Sequence, residues 1–171
     1  MEIFQIIKRN DVKSGKNGKI TIVGGGLSGP VMAMYLSEKG YRVDIYERRP
    51  DMRKTNISAG RSINLAVSKR GITALEEIGV FHKISSKLIP MYGRIIHDID
   101  GSTRFMPYGR PDQYINSVSR SELNILLMTE AEKTDRIRIL FQHSCSGMDL
   151  ESGTVFITNE VNGDQVTIQG T

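Results

Sequence analysis

The stretch that decides the fold reads KITIVGGGLSGPVMAMYLSEKGYRVDIYE and spans residues 19–47. It opens with a β-branched run, Lys19–Val23, that stops at three consecutive glycines, Gly24 to Gly26. A short apolar run that ends in a glycine cluster is typical of a buried strand entering a tight turn. The opening of the chain's ordered part is therefore predicted to be a core strand.

A helix and a second strand are predicted to follow that turn. Pro30 suits a first helical turn, where its missing N–H costs nothing, and Gly40 suits the helix end. Between them, apolar residues recur at helical spacing: Met32, Tyr35 and Leu36. The run from Tyr41 to Glu47 is predicted to be the second strand. Together these segments predict a βαβ unit.

The glycines have the G-x-G-x-x-G spacing of dinucleotide-binding proteins. Gly24 would permit the tight turn out of the strand, and Gly26 would let the backbone approach a pyrophosphate. Gly29 would let helix and strand pack closely, as would the small Ala33. The phosphates would then lie at the positive N-terminus of the helix. The alternative is that the glycines merely form a turn.

An acidic residue closes the second predicted strand. Glu47 lies 18 residues beyond Gly29, close to the roughly 20 expected for the acid that binds the ribose hydroxyls. A carboxylate there would repel a 2′-phosphate, which favours FAD or NAD over NADP. Arg48 and Arg49 follow directly; either they reach the phosphate or adenine of the cofactor, or they are surface charges.

Composition excludes several function classes. The 171 residues carry 23 basic and 19 acidic side chains, a net charge of +4, and the charges are spread rather than clustered, which disfavours nucleic acid as a partner. Cys145 is the single cysteine and the three histidines lack metal-ligand spacing, so we expect a reducing compartment and no metal. No apolar run is long enough to span a bilayer. We expect a soluble, cytoplasmic protein.

Beyond the βαβ unit, periodicity predicts two more helices. Ser68 would cap a helix with Ile72, Leu75 and Ile78 on one face. A capping box, Ser119 to Glu122, would open another helix. Its apolar stripe comprises Leu123, Leu126, Leu127 and Ala131.

Strands are predicted around Arg94 to Ile99 and Arg104 to Met106, and from Ile137 to Phe141 in the parallel sheet. A hairpin is predicted from Thr154 to Thr158 and Gln165 to Ile168, with its turn at Asn162-Gly163. Residues 1–18 are polar and glycine-bearing after a short apolar start, and we interpret them as a flexible lead-in.

The middle of the chain carries a specific succession of motifs. In order, these are GRSINLA at 60–66, PM at 90–91, RIIH at 94–97, PYG at 107–109, QYI at 113–115 and SVSR at 117–120. The succession resembles the kynurenine 3-monooxygenase family of FAD-dependent aromatic hydroxylases. The resemblance runs from about Lys19 to about Gln142.

The resemblance implies a set of cofactor-binding residues. Besides Gly24, Gly26 and Gly29, these are Ser28, Glu47, Arg48, Arg49, Ala66, Arg120 and Cys145. Ala66 would lie near the flavin end, and Cys145 would contact the adenine end through its backbone. Arg94 and Tyr108 match the pair that binds the substrate's α-carboxylate. A guanidinium suits that role because it binds a carboxylate bidentately. Met91, Met106 and His97 are better explained by packing, and no side chain is expected to be catalytic.

The resemblance further implies a reaction and a fold. FAD would be the bound cofactor and NADPH the co-substrate, and O2 would hydroxylate L-kynurenine to 3-hydroxykynurenine, a step of tryptophan catabolism toward NAD biosynthesis. The fold would be an α/β, Rossmann-like three-layer FAD/NAD(P)-binding domain over residues 19–171, with the start of the substrate-binding region at about 88–116. Such flavoproteins carry later Asp-Gly and Gly-Asp motifs that close on the flavin; the Asp100-Gly101 and Gly163-Asp164 pairs of this chain fall in predicted turns and are not those motifs. We therefore expect an incomplete, N-terminal fragment that is inactive alone. Whether its missing C-terminal part attaches to a membrane is left open by the sequence.

Three alternatives remain open at this point. The first is an FAD-dependent hydroxylase of another aromatic acid, since the fingerprint and the carboxylate-binding pair would look alike. The second is an NAD-binding dehydrogenase module with the same opening βαβ unit. The third is a binding module that keeps the dinucleotide fold without catalysis.

Overall fold

The computed structural model describes residues 18–54 and 64–169, so nearly all of the predicted lead-in and residues 60–63 of the GRSINLA motif lie outside the described residues. These fall into two compact units, residues 18–54 with 124–169 and residues 64–123. In chain order the helices and strands are β1 (Lys19–Val23), α1 (Ser28–Glu38), β2 (Arg42–Glu47), β3 (Asn64–Val67), α2 (Lys69–Glu77), α3 (Phe81–Ile84), β4 (Ile89–Met91), β5 (Gly93–His97), β6 (Thr103–Pro107), β7 (Ile115–Ser119), α4 (Arg120–Ala131), β8 (Ile137–Phe141), β9 (His143–Asp149), β10 (Thr154–Asn159) and β11 (Gln165–Ile168).

A parallel sheet of order β1-β2-β8 forms the centre of the first unit. The predicted βαβ unit is confirmed, and so is the assignment of residues 137–141 to the parallel sheet. Val43 and Ile45 of β2 are 1% and 0% exposed, because β2 is the middle strand and both of its faces are covered. The strand ends at Glu47, which is also buried.

Helix α1 packs on this sheet through small residues. Its buried positions are Gly29, Pro30, Ala33 and Met34. The predicted apolar stripe was wrong at Met32, which is 46% exposed. The reason is that glycine and alanine at the inner face allow a closer approach of helix to sheet than larger apolar side chains would, so the helix turns that face inward.

The antiparallel sheet β9-β10-β11 completes the first unit. The predicted hairpin is confirmed, and Gly163 in its turn has a φ of 78°, which suits glycine. Val155 and Ile157 of this sheet form a buried cluster with Tyr46 of β2. Helix, parallel sheet and antiparallel sheet are the three layers that the sequence predicted.

The second unit contains the three-stranded sheet β3-β7-β4 and the two-stranded sheet β5-β6. The two predicted strands at β5 and β6 are confirmed. Sequence patterns missed β3, β4 and β7, and also β9 in the first unit, because β7 (INSVS) and β9 (HSCSGMD) are rich in polar residues and β4 contains a proline. The helix predicted after Ser68 is α2; Leu75 and Ile78 are buried, but Ser68 makes no side-chain capping bond.

The capping box before α4 is present in one direction. The backbone N–H of Glu122 donates to Oγ of Ser119 at 3.4 Å. Leu123, Leu127 and Ala131 are buried as predicted, whereas Leu126 is only half-buried. The division between the two units falls after Leu123, so the body of α4 belongs to the first unit.

Candidate dinucleotide-binding site

The glycine-rich loop follows β1 directly. The N–H of Gly24 donates to the carbonyl of Tyr46 at 2.8 Å, which extends the pairing of β1 with β2 by one residue. Gly24 has a φ of 105°, a conformation that residues with a Cβ rarely adopt. A Cβ added to Gly29 would overlap the carbonyl oxygen of Gly24. The turn and the close helix approach therefore both require glycine.

Helix α1 presents an uncapped N-terminus to this loop. Leu27 occupies the N-cap position and makes no side-chain capping bond, and the first turn has no acidic residue. The first N–H groups of a helix lack partners within the helix and carry partial positive charge. This end of α1 therefore suits an anion such as a phosphate.

Glu47 at the end of β2 is buried and lies beside the loop. Its Oε2 accepts the N–H of Gly25 at 2.8 Å. Its Oε1 accepts the N–H of Arg49 at 2.9 Å and Nε of Arg49 at 3.0 Å. Burial favours the neutral acid, but these hydrogen bonds outweigh it and hold the pKa of Glu47 below its usual value. The side chain is therefore an ionised acceptor beside the loop.

The two arginines after Glu47 differ in their contacts. Arg49 forms an ion pair with Glu47, although its side chain is 61% exposed. Arg48 is exposed. The sequence predicted the same two possible roles for both arginines, whereas in the structure Arg49 is bound to Glu47, the predicted ribose-binding acid.

Sequence reasoning missed two residues of this loop's surroundings, Gly25 and Asn124. A Cβ on Gly25 would lie 3.0 Å from Cβ of Glu47, a tight contact that would press on the side chain of Glu47. The side-chain amide of Asn124, in α4, faces the loop; oriented with its nitrogen toward the two loop carbonyl oxygens, it donates to those of Gly25 and Gly26, each at 3.2 Å. The three consecutive glycines were a usable signal for Gly25. A single asparagine in an amphipathic helix gave none.

Cys145 lies in β9 and its side chain packs with the cluster around Tyr46. Its Sγ donates to the carbonyl of Gly147 at 3.4 Å. Because the thiol faces this cluster, the backbone is the part of Cys145 left for the predicted adenine contact, which stays a prediction. Ser28 is exposed at the first position of α1.

Ala66 and Arg120 belong to the second unit. Ala66 lies in β3 opposite Ser117 of β7, and Arg120 is exposed at the start of α4. Their predicted cofactor contacts stay predictions.

Arg94 and Tyr108 lie on one face of the β5-β6 sheet. Arg94 pairs with Met106, and its Nη2 lies 3.1 Å from Sδ of Met106. Tyr108 is two residues beyond Met106, and its N–H donates to the carbonyl of Tyr92 at 2.9 Å, so it keeps the same face. Tyr92, which the sequence analysis did not single out, is therefore the cross-strand neighbour of Tyr108; its ring lies 5.4 Å from that of Tyr114.

In 18–54 and 64–169, no group of three or more His, Cys, Asp or Glu side chains is placed to hold a metal ion. Within the same ranges, every helix is too short or too polar to cross a membrane.

Comparison with known proteins bears on the fold and on the family that the chain resembles. Residues 22–59 match the family described as the NAD(P)-binding Rossmann-like domain. Over 154 residues the chain is 40% identical to the kynurenine 3-monooxygenase of Myxococcus xanthus, covering 90% of this chain and 33% of that protein. It is 42% identical over 153 residues to the enzyme of the same name from Cytophaga hutchinsonii, covering 88% and 34%.

The chain is similar to the kynurenine 3-monooxygenases. This confirms the resemblance that the motifs indicated, and it extends over 86–90% of the chain in these and a Legionella pneumophila relative. The chain spans about a third of the length of these curated relatives.

Solved structures agree on the fold. The flavin-dependent monooxygenase PieE, solved with FAD and substrate, matches with a TM-score of 0.73 and 18% identity, over 90% of this chain and 29% of that one. The p-nitrophenol 4-monooxygenase PnpA from Pseudomonas putida matches with a TM-score of 0.70 and 16% identity, over 90% and 39%. The predicted Rossmann-like α/β fold is confirmed.

Proposed function

We propose that this chain is the FAD-binding part of a flavin monooxygenase that hydroxylates L-kynurenine to 3-hydroxykynurenine with NADPH and O2. One observation carries the proposal: the same glycine-rich loop leads into the uncapped N-terminus of α1 and binds the ionised Glu47. The similarity to kynurenine 3-monooxygenases at about 40% identity supports the choice of reaction.

The loop fits the adenine-dinucleotide half of FAD. The pyrophosphate would lie against Gly26 and Ser28 at the N-terminus of α1, and Glu47 would accept the ribose hydroxyls. Because Glu47 is ionised, a 2′-phosphate on the same ribose would be repelled, so NADPH would dock elsewhere. Bound FAD would supply the redox chemistry, while this chain holds and orients the cofactor.

The β5-β6 face fits the amino-acid part of an aromatic substrate. Arg94 would bind the α-carboxylate bidentately, and the Tyr108 hydroxyl would donate a further hydrogen bond. The two side chains share a sheet face as diagonal neighbours, a separation of about 7 to 8 Å that one carboxylate-bearing ligand can bridge. Tyr92, the cross-strand neighbour of Tyr108, would add aromatic surface.

Cofactor choice is tested by calorimetry on the 171-residue chain with FAD, ADP, NAD and NADP. We expect FAD and ADP to bind and NADP to bind more weakly than NAD. Binding of NAD in clear preference to FAD would favour the dehydrogenase, which the family match at residues 22–59 also fits. Binding of none of the four would contradict a dinucleotide function.

Substrate choice is tested on the full-length protein that carries this chain. We expect L-kynurenine to stimulate NADPH oxidation and to yield 3-hydroxykynurenine. Stimulation by another aromatic acid, with none by kynurenine, would favour a different hydroxylase. Because the chain spans only about a third of its relatives, we expect no turnover by the 171 residues alone.

A further inference from the structure

Asn124 connects α4 to the glycine-rich loop inside the first unit. Its side chain is buried, with 6% of the residue exposed. The atoms that face its amide in the loop are carbonyl oxygens, so the nitrogen is the end that points toward them. It lies 3.2 Å from the carbonyls of Gly25 and of Gly26. An amide NH2 has two donors, so one group serves both carbonyls.

These two hydrogen bonds fix the orientation of two peptide planes. The described residues contain no cis peptide bond. In a trans peptide the C=O of one residue and the N–H of the next point in opposite directions. With the carbonyls of Gly25 and Gly26 directed at Asn124, the N–H groups of Gly26 and Leu27 point away from it. Both N–H groups directly precede α1, whose N-cap residue is Leu27 and whose N-terminus has no side-chain cap.

Glu47 holds the same loop from the other end of Gly25. The N–H of Gly25 donates to Glu47, and its carbonyl accepts from Asn124. Gly25 is buried, so both of its backbone groups need partners within the protein. Glycine has more backbone freedom than any other residue, and three in a row would otherwise adopt many conformations. The hydrogen bonds from the two side chains reduce this freedom.

We propose that Asn124 is a positioning residue of the dinucleotide site, which directs the N–H groups of Gly26 and Leu27 toward the pyrophosphate. This inference rests on the proposed dinucleotide function. An asparagine suits the role because it supplies two donors without charge. Aspartate has the same shape but would set carboxylate oxygens against two carbonyl oxygens, and the loop would have to turn its peptide planes.

The test compares Asn124→Ala and Asn124→Asp with the parent chain. Asn116→Asp is the matched control, because Asn116 is equally buried, at 6%, but lies in β7 of the second unit. Affinity for ADP is measured by calorimetry and affinity for adenosine by ligand-observed NMR. Amide ¹H–¹⁵N spectra of the free chains report on Gly26 and Leu27, and circular dichroism verifies that each variant is folded.

We expect Asn124→Ala to weaken ADP binding about tenfold, as for the loss of one or two hydrogen bonds, and Asn124→Asp to weaken it more. Adenosine affinity should stay within twofold, because adenosine has no phosphate. The amide signals of Gly26 and Leu27 should shift in the free Asn124 variants and not in the Asn116 control.

Two results would overturn the inference separately. If the parent binds ADP and Asn124→Asp binds it equally well, Asn124 does not position the loop. If ADP and adenosine lose affinity in parallel, Asn124 only stabilises the fold. Failure of the parent to bind ADP is a different outcome, which overturns the dinucleotide function and the inference with it.

Discussion

The carboxylate of Glu47 accepts the N–H of Gly25 at 2.8 Å, across 22 residues of sequence. The bond joins the end of β2 to the loop that ends β1. The predicted ribose-binding acid and the predicted phosphate-binding loop are therefore held together before any ligand binds. A change at either residue is expected to alter both subsites.

Replacing Glu47 with glutamine removes its charge and keeps its shape. The single amide oxygen can accept from Gly25 or from Arg49 but not from both, so at least one of these hydrogen bonds is lost. Loss of a hydrogen bond to a charged group costs about 1.5 to 3 kcal/mol, and we expect FAD affinity to fall at least tenfold. We also expect less discrimination against NADP. Calorimetry measures both, and Glu160→Gln, at an exposed site in the β10-β11 turn, is the control. Unchanged FAD affinity would argue against Glu47 as a ribose ligand.

The close approach of Gly29 to Gly24 predicts a severe effect of one methyl group. In Gly29→Ala the new Cβ would overlap the backbone carbonyl of Gly24, which cannot rotate away as a side chain can. Forcing atoms into such a site costs about 1 to 3 kcal/mol or more. We expect urea denaturation to show this loss.

Gly147→Ala is the matched control for that experiment. Its Cβ would meet the ring of Phe156 at 3.6 Å, an ordinary contact, and Gly147 lies in a strand. We expect a change within about 0.5 kcal/mol. Equal stability of the two variants would contradict the close packing of α1 on β1.

The charge cluster at Asp44 predicts acid-sensitive stability. Asp44 is buried and accepts two hydrogen bonds from Arg138, at 2.8 and 2.7 Å. It also forms an ion pair with Lys19 at 2.8 Å. Burial raises the pKa of Asp44, but these cationic partners outweigh it and lower the pKa below its usual value. The stabilisation is therefore complete above the unfolded-state pKa of about 3.9, and it is lost as the pH falls through the lower folded value.

We expect Asp44→Asn to lower the free energy of unfolding at pH 7 by about 1 to 3 kcal/mol, limited because Arg138 and Lys19 are largely exposed. The variant should also lose less stability than the parent between about pH 5 and pH 3, the range in which carboxyl groups titrate. Some slope should remain, because the pKa values of Glu47 and Asp51 are also lowered. Asp135→Asn, at an exposed position, is the control. Identical slopes in parent and Asp44→Asn would refute the assignment.

Arg94→Lys tests the proposed carboxylate-binding face in the full-length protein. Lysine keeps the charge but loses bidentate geometry, so we expect KM for kynurenine to rise about tenfold or more with kcat little changed. Arg104→Lys is the control. Arg104 pairs with Ile96, two residues along the strand from Arg94, and lies on the same sheet face as Arg94. An equal rise in both variants would indicate a general charge effect rather than a site at Arg94.

Local patterns were sufficient for the elements whose signal lies within a few residues. The run Lys19–Val23, the glycine stop and the helical spacing predicted β1 and α1 with correct bounds to within one or two residues. They were insufficient where polar strands exist only because a neighbour pairs with them, as with β7 between β3 and β4. They also misplaced Met32, because the face a helix buries depends on what it packs against.

The candidate site likewise contains features that local sequence predicts and contacts that it does not. The order of residues along the chain was enough to predict the turn at Gly24, Gly26 and Gly29 and the strand end at Glu47, because turn conformation and strand ends are encoded locally. Distances between remote residues are not encoded locally. Three contacts followed only when the chain folded: Glu47 binds Gly25, Arg49 binds Glu47, and Asn124 reaches two loop carbonyls from a helix about 100 residues away. Burial is the physical reason, since a buried backbone group must find a partner, and only the packed structure decides which side chain is within reach.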